Sequence, residues 1–181
     1  MSTAAGAQPG VVEVRRERRG DKEAVAEVHR LAFARAGEDL PIEVTLLARL
    51  RDDPAWLPHL SLVAIVDGER AGHVVATRAW VSDAPALGLG PVGVRPERQR
   101  AGIGTILVHA LVAVAETHGE TLVGLLGDPR YYRRFGFTTA THVGIEPPDP
   151  EWGPFFQVRS LVAEAIPGGR FRYAPPFDGL G

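Results

Sequence analysis

The sequence predicts an α/β fold organised around one parallel β-α-β unit, and three stretches carry that prediction. A β-prone run, Val92-Gly93-Val94, stops at Arg95-Pro96. The residue before a proline avoids helical angles, and a proline cannot pair inside a sheet. Next, Ile103, Ile106, Leu107, Ala110, Leu111, Val114 and Ala115 recur at the spacing of a buried helix face. Thr121 to Leu126 is strand-like again, so strand, crossover helix and strand make a parallel unit.

The other elements follow in order. Met1 to Gly10 is small and polar and is expected to be disordered. Val11, Val12 and Val14 suggest a first strand, and Gly20-Asp21 offers a cap to a helix running to about Ala34. Gly37 to Pro41 breaks it; a second helix starts near Ile42, turns Leu46, Leu47 and Leu50 inward, and ends by Asp52. Leu60 to Val66 reads as a strand covered on both faces. Asp67-Gly68 turns the chain into a longer strand, Ala71 to Val81, and Leu87 to Val94 is the fourth. Gly119 ends the central helix. After the fifth strand, Gly127-Asp128-Pro129 starts a short helix through Arg134, and Phe137 leads to a sixth strand. Gln157 to Ala165 reads as another strand ended by Pro167-Gly168-Gly169, and Phe171 to Gly181 as a tail across the body. Residues 11–181 are read as one domain, with 141–181 supplying C-terminal strands and tail.

Composition narrows the function. The 181 residues are 45% hydrophobic and 23% charged, as in an ordinary soluble globule. A net charge of −2 argues against a dedicated nucleic-acid binder. Arg15, Arg16, Arg18 and Arg19 sit among acidic residues and read as a solvated edge. Without cysteine there is no disulfide, thiolate metal site or thiol nucleophile. The six histidines lack metal-ligand spacing, so no metal is expected. No signal peptide and no apolar run of membrane-spanning length is present, so a cytoplasmic protein without membrane partners is expected.

Between strand and central helix lies Arg95-Pro96-Glu97-Arg98-Gln99-Arg100-Ala101-Gly102-Ile103-Gly104-Thr105. The first amides of a helix have no internal partner, and the dipole adds about half a positive charge there. Glycines let a phosphate approach the backbone, and arginines add fixed charge. The stretch reads as a diphosphate cradle; a plain strand-to-helix turn with solvated arginines is the alternative. Gly88, Gly90 and Gly93 match a dinucleotide fingerprint formally, but no helix follows them, so that match is accidental.

Gln99, Gly102 and Gly104 match the Q/R-x-x-G-x-G/A signature, and the stretch resembles that of the GNAT-type N-acetyltransferases. The resemblance covers about residues 11 to 140. It implies a central, mostly antiparallel sheet with helices on both faces and acetyl-CoA as cosubstrate, without a metal. Val92, Gly93, Val94, Gln99, Arg100, Ala101, Gly102, Ile103, Gly104 and Thr105 would then bind coenzyme A. Tyr132 to Phe137 resembles the family's Y-x-x-x-G-F element, which places Tyr132 as general acid and cofactor contact. A phenol suits that role because it stays protonated at neutral pH and can protonate a leaving thiolate. Tyr131 reads as packing, and Asp128 stands where many relatives carry Asn.

A base is harder to place, since Leu87 to Val94 holds no acidic residue. Glu43, His73 and Asp83 are the candidates; Glu43 is preferred because the resemblance puts its helix beside the acceptor. Backbone amides near Val94 are expected to serve the oxyanion. The aromatic group Trp152, Phe155, Phe156 and Tyr173 is expected either to shape the acceptor cleft or to pack the core. The leading expectation is direct acetyl transfer to a primary amine, of a small molecule or a protein, by a monomer or homodimer. The rivals are a non-catalytic acyl-CoA sensor and a nucleotide-binding protein using the same loop.

Overall fold

The computed structural model describes residues 10–37 and 39–178. The expectation of a disordered start at residues 1–10 therefore lies, but for Gly10, outside the described residues.

Strand β1 (Val12–Arg16) leads to helices α1 (Lys22–Ala32) and α2 (Ile42–Arg51), then to β2 (Ser61–Val66), β3 (Glu69–Val81) and β4 (Ala84–Val94). Helix α3 (Ile103–Thr117), β5 (Leu122–Leu126), a single helical turn α4 (Pro129–Tyr132) and β6 (Thr138–Thr139) follow. β7 (Ile145–Glu146), β8 (Phe156–Ser160) and β9 (Gly169–Arg172) complete the described strands. The main sheet runs β1-β2-β3-β4-β5-β8-β6 and is antiparallel except for the β4–β5 pair.

Helices cover both faces, and the alternation of strand side chains shows why. Leu62, Ala64, Val74 and Ala76 join Ile103, Leu107 and Leu111 of α3 in one core. The intervening Val63 and Val75 point the other way, to Val25 of α1 and Leu47 of α2. A period of two thus fills two layers from one strand. A third cluster gathers Ala79, Val81, Phe156 and Phe171 at the C-terminal end.

The feature that shapes the site is the brevity of the parallel contact. β4 and β5 pair only at Leu87–Val123 and Gly88–Gly124. One step further, β4 bulges: Ala76 opposes Leu89 and Val74 opposes Val92, so Gly90 and Pro91 together face Val75. An extra residue bends a strand and breaks its ladder, and Pro91 has no N–H to offer a neighbour. From Leu89 to Val94 the β4 edge stands away from β5, and the two strands form a wedge.

The C-terminal region departs from expectation. The strand expected at Gln157–Ala165 ends at Ser160, and Gly169 opens a strand instead of ending one. β9 pairs with Trp80 and Val81 of β3 and with β7. Its sequence, Gly-Arg-Phe-Arg, has one buried apolar residue, Phe171, too little for an alternation to register. β4 begins at Ala84, because Ser82-Asp83 alone makes the turn. Asp21 does not cap α1; its carboxylate turns back to Arg15, Arg18 and Arg70. Arg15 is accordingly locked in an ion pair and is not part of a solvated edge. Among the described residues no helix is long and apolar enough to cross a membrane.

Candidate active site

At the end of β4 the chain makes a 3-10 turn at Pro96–Arg98, and Gln99 Nε2 donates back to the Val94 carbonyl at 3.0 Å. Arg100 and Gly102 both take positive φ, 61° and 84°, which turns the loop into the helix. The first α3 amide to find an intrahelical acceptor is Ile106, bonded to Gly102 O at 3.0 Å. Those of Ile103, Gly104 and Thr105 precede it and have none. No side chain caps the helix and its first turn carries no acid, so the positive end of the dipole is uncompensated. Arg95 is paired with Glu97 and Arg98 with Asp67, which leaves Arg100 as the loop arginine without an ion pair among the described residues.

Across the wedge, Asp128 caps α4 by accepting the Arg130 N–H at 2.8 Å. That turn puts two phenols side by side. The Tyr131 hydroxyl lies 3.2 Å from where a Cβ on Gly104 would be, so it borders the helix mouth. Tyr132 packs edge-on to Tyr131, with centroids 4.9 Å apart, and against Phe137. Its ring lies on Gly127, where no side chain would fit. Burial, with the neighbouring Tyr131 phenol, pushes the Tyr132 hydroxyl up to about 12. A third phenol, Tyr173, follows β9, half-buried, with its hydroxyl beside the Leu126 amide and near Tyr132. Burial raises it too.

On the α2 side of the wedge is a cleft of about 1010 Å³. Glu43 and Leu46 of α2, Leu89 to Pro91 of β4, Trp80 and Tyr173 are among its walls. Glu43 Oε2 is buried there without a hydrogen bond, and its other oxygen is 3.8 Å from Arg35.

The sequence signature, the mostly antiparallel sheet and the wedge all point one way. A sequence model of the "Acetyltransferase (GNAT) family" matches residues 22–137. The chain belongs to the GNAT acetyltransferase family. YjhQ, an uncharacterized N-acetyltransferase of Escherichia coli K12, is 34% identical over 143 residues, covering 74% of this chain and 79% of its own. The crystal structure of Escherichia coli YhbS, a GNAT family N-acetyltransferase in complex with CoA, gives a TM-score of 0.85 at 26% identity. It covers 99% of this chain and 98% of its own. A GNAT acetyltransferase from Brucella melitensis in complex with acetyl-CoA gives 0.77 at 32% identity, covering 93% and 99%.

Within this GNAT fold, the loop from Gln99 to Thr105 and Tyr132 stand close together, joined through Tyr131. Val92 and Val94 turn to the α3 core, while Gly93 faces α1. The three base candidates separate. Glu43 lines the cleft, His73 is fully buried on β3, and Asp83 is exposed on the β3–β4 turn. Of the aromatic group, Trp152 and Tyr173 line the cleft, Phe156 is core, and Phe155 is exposed. Tyr131, read as packing, borders the helix mouth; its neighbour Gly104 was the only sequence signal, and it did not name a partner.

Proposed function

We propose that this chain is an acetyl-CoA-dependent N-acetyltransferase that moves acetyl directly from the thioester to a primary amine. The observation that carries the reading is the uncapped, acid-free start of α3 opening beside the β4–β5 wedge, with Tyr132 one ring away. When bound, acetyl-CoA supplies a thioester, whose thiol is a fair leaving group. The amides of Ile103, Gly104 and Thr105 and the side chain of Arg100 hold the diphosphate by charge and hydrogen bond. Gln99 fixes the loop by its bond to Val94, and the free β4 edge from Val92 to Val94 guides the arm of the cosubstrate. Tyr132 keeps its proton at neutral pH and gives it to the departing sulfur. Glu43 draws the acceptor's ammonium into the cleft, where an unpartnered carboxylate oxygen waits for a donor. Residues 11–181 act as one acetyltransferase domain in this reading.

The test is thiol release from acetyl-CoA against a panel of primary amines, with coenzyme A protection against heating measured in parallel. Turnover on an amine supports the proposal. Tight coenzyme A binding with no turnover on any amine indicates a non-catalytic sensor, and absence of thermal protection removes the cradle itself.

A further inference from the structure

Four polar groups form a line inward from the surface: the half-buried Glu17 after β1, then the buried Ser61 on β2, His73 on β3 and His29 on α1. His29 Nε2 is 2.8 Å from His73 Nδ1, and His73 Nε2 is 2.9 Å from Ser61 Oγ. Ser61 Oγ donates to Glu17 Oε2, and Arg51 holds the other Glu17 oxygen at 2.5 Å. His29 and His73 are 0% exposed and Ser61 1%.

The direction of every proton in this line is fixed by its end. Burial alone would raise the Glu17 carboxyl, yet hydrogen bonds from His73 and Ser61, and the Arg51 charge, hold it at about 2. Glu17 therefore only accepts. Ser61 spends its single O–H on Glu17 and can take only an N–H from His73 Nε2. That leaves His73 Nδ1 bare, to accept the Nε2–H of His29. His29 Nδ1 is then a bare lone pair, buried, with no hydrogen-bond partner. It rests on Gly93 of β4, so closely that a Cβ there would lie 2.9 Å away. An orphaned buried acceptor costs free energy that a purely structural histidine pair has no reason to carry.

We propose that Glu17, Ser61, His73 and His29 are a proton relay for acetyl transfer, its unprotonated end, His29 Nδ1 against Gly93, receiving the proton that the acceptor amine must lose. This rests on the N-acetyltransferase reading. The step balances. A proton arriving by water from the wedge binds His29 Nδ1, the Nε2–H passes to His73 Nδ1, and the positive charge rests on His73. There Nε2 is 3.5 Å from Glu17 Oε2. Burial, then the His73 and Arg51 charges, disfavour charge on His29. Burial and Arg51 also oppose it on His73, but Glu17 and Asp21 favour it there. Glu17 and Ser61 border a surface cleft with Arg16, Arg18 and Trp56, through which the proton leaves to water.

Ser61→Ala cuts the line far from the wedge, and His29→Asn keeps a polar atom near Nδ1 but cannot pass a proton. Each is expected to lower kcat at least about ten-fold and to move the acidic limb of the pH profile, leaving the acetyl-CoA KM unchanged. Long-range ¹⁵N–¹H spectra of the histidines read the line without turnover, and His29 Nδ1 is expected to carry no proton at neutral pH. A protonated Nδ1 overturns the relay, as does parental kcat and pH profile in folded Ser61→Ala. Failure of every amine in the panel to release thiol would instead sink the transferase reading and the relay with it.

Discussion

The ring of Tyr173 sits on Gly88, so closely that a methyl group on that glycine would fall 2.5 Å from Cδ1 and 2.7 Å from Cε1. Gly88 is also the last residue at which β4 pairs with β5. The ring that walls the cleft is thus seated at the point where the wedge begins. Gly88→Ala must push Tyr173 toward the cleft, because the clash is with rigid ring atoms. Overpacking of this kind costs about 1–3 kcal/mol. The expected result is a lowered Tm and a raised KM for the amine, with coenzyme A affinity retained. An unchanged amine KM would mean that Tyr173 does not bound the acceptor.

Tyr132 offers a sharper chemical test. With its hydroxyl at about 12, the group stays protonated to well beyond pH 10, so it contributes no basic limb to the rate profile in the working range. Tyr132→Phe keeps the ring on Gly127 and removes only the proton. Because a thiolate leaves readily, the loss in kcat belongs at the low end of general-acid effects, about 10²-fold, with acetyl-CoA KM little changed. A kcat equal to the parent's would reduce Tyr132 to packing.

How far the sequence discloses the site depends on whether the signal is local. The helix mouth was legible because Pro96, Gly102 and Gly104 act on the backbone where they stand. The two-faced core was legible from alternation in Leu62 to Val66. β9 was not, because its pairing with Trp80 and Val81 spans some ninety positions and only Phe171 reports burial. The relay was equally hidden: His29 and His73 are 44 positions apart, and a histidine shows no sign in sequence of which ring nitrogen holds its proton. The wedge falls between. Its cause, the bulge at Gly90-Pro91, is written locally, but its consequence appears only once β5 lies alongside.

The two loop glycines make separable demands. Gly102 has φ of 84° and nothing within 4 Å of where a Cβ would sit, so Gly102→Ala costs only a left-handed backbone, about 1–2 kcal/mol. Gly104 has an ordinary φ, but a Cβ there points at the Tyr131 hydroxyl and into the helix mouth. Gly104→Ala is expected to leave Tm nearly unchanged and to weaken coenzyme A about ten-fold or more by calorimetry, which is about 1.4 kcal/mol. If Gly104→Ala bound coenzyme A as tightly as the parent, the diphosphate would not lie at these amides.

Acid should dismantle the interior in two stages whose order follows from the buried groups. His29 and His73 are held below the ordinary histidine value of 6.5, first by burial. Unfolded histidines take up protons below about 6.5 while the folded ones resist, so the unfolded chain binds more protons and stability falls as pH drops from there. Glu17, at about 2, and Asp21 add a second stage. Asp21 is 1% exposed and is held down foremost by the Arg15 hydrogen bond at 2.7 Å, with the Arg18 amide and Arg70 assisting. These depressed carboxylates stabilise the fold fully above about 4.5 and lose that contribution as pH falls toward 2. Tm is therefore expected to be level above neutrality, to decline from about pH 6.5, and to fall more steeply below about 4.5. His29→Asn should soften the upper decline and leave the lower one in place. A Tm that holds steady down to pH 4.5 in the parent would show that neither histidine is kept neutral by the fold.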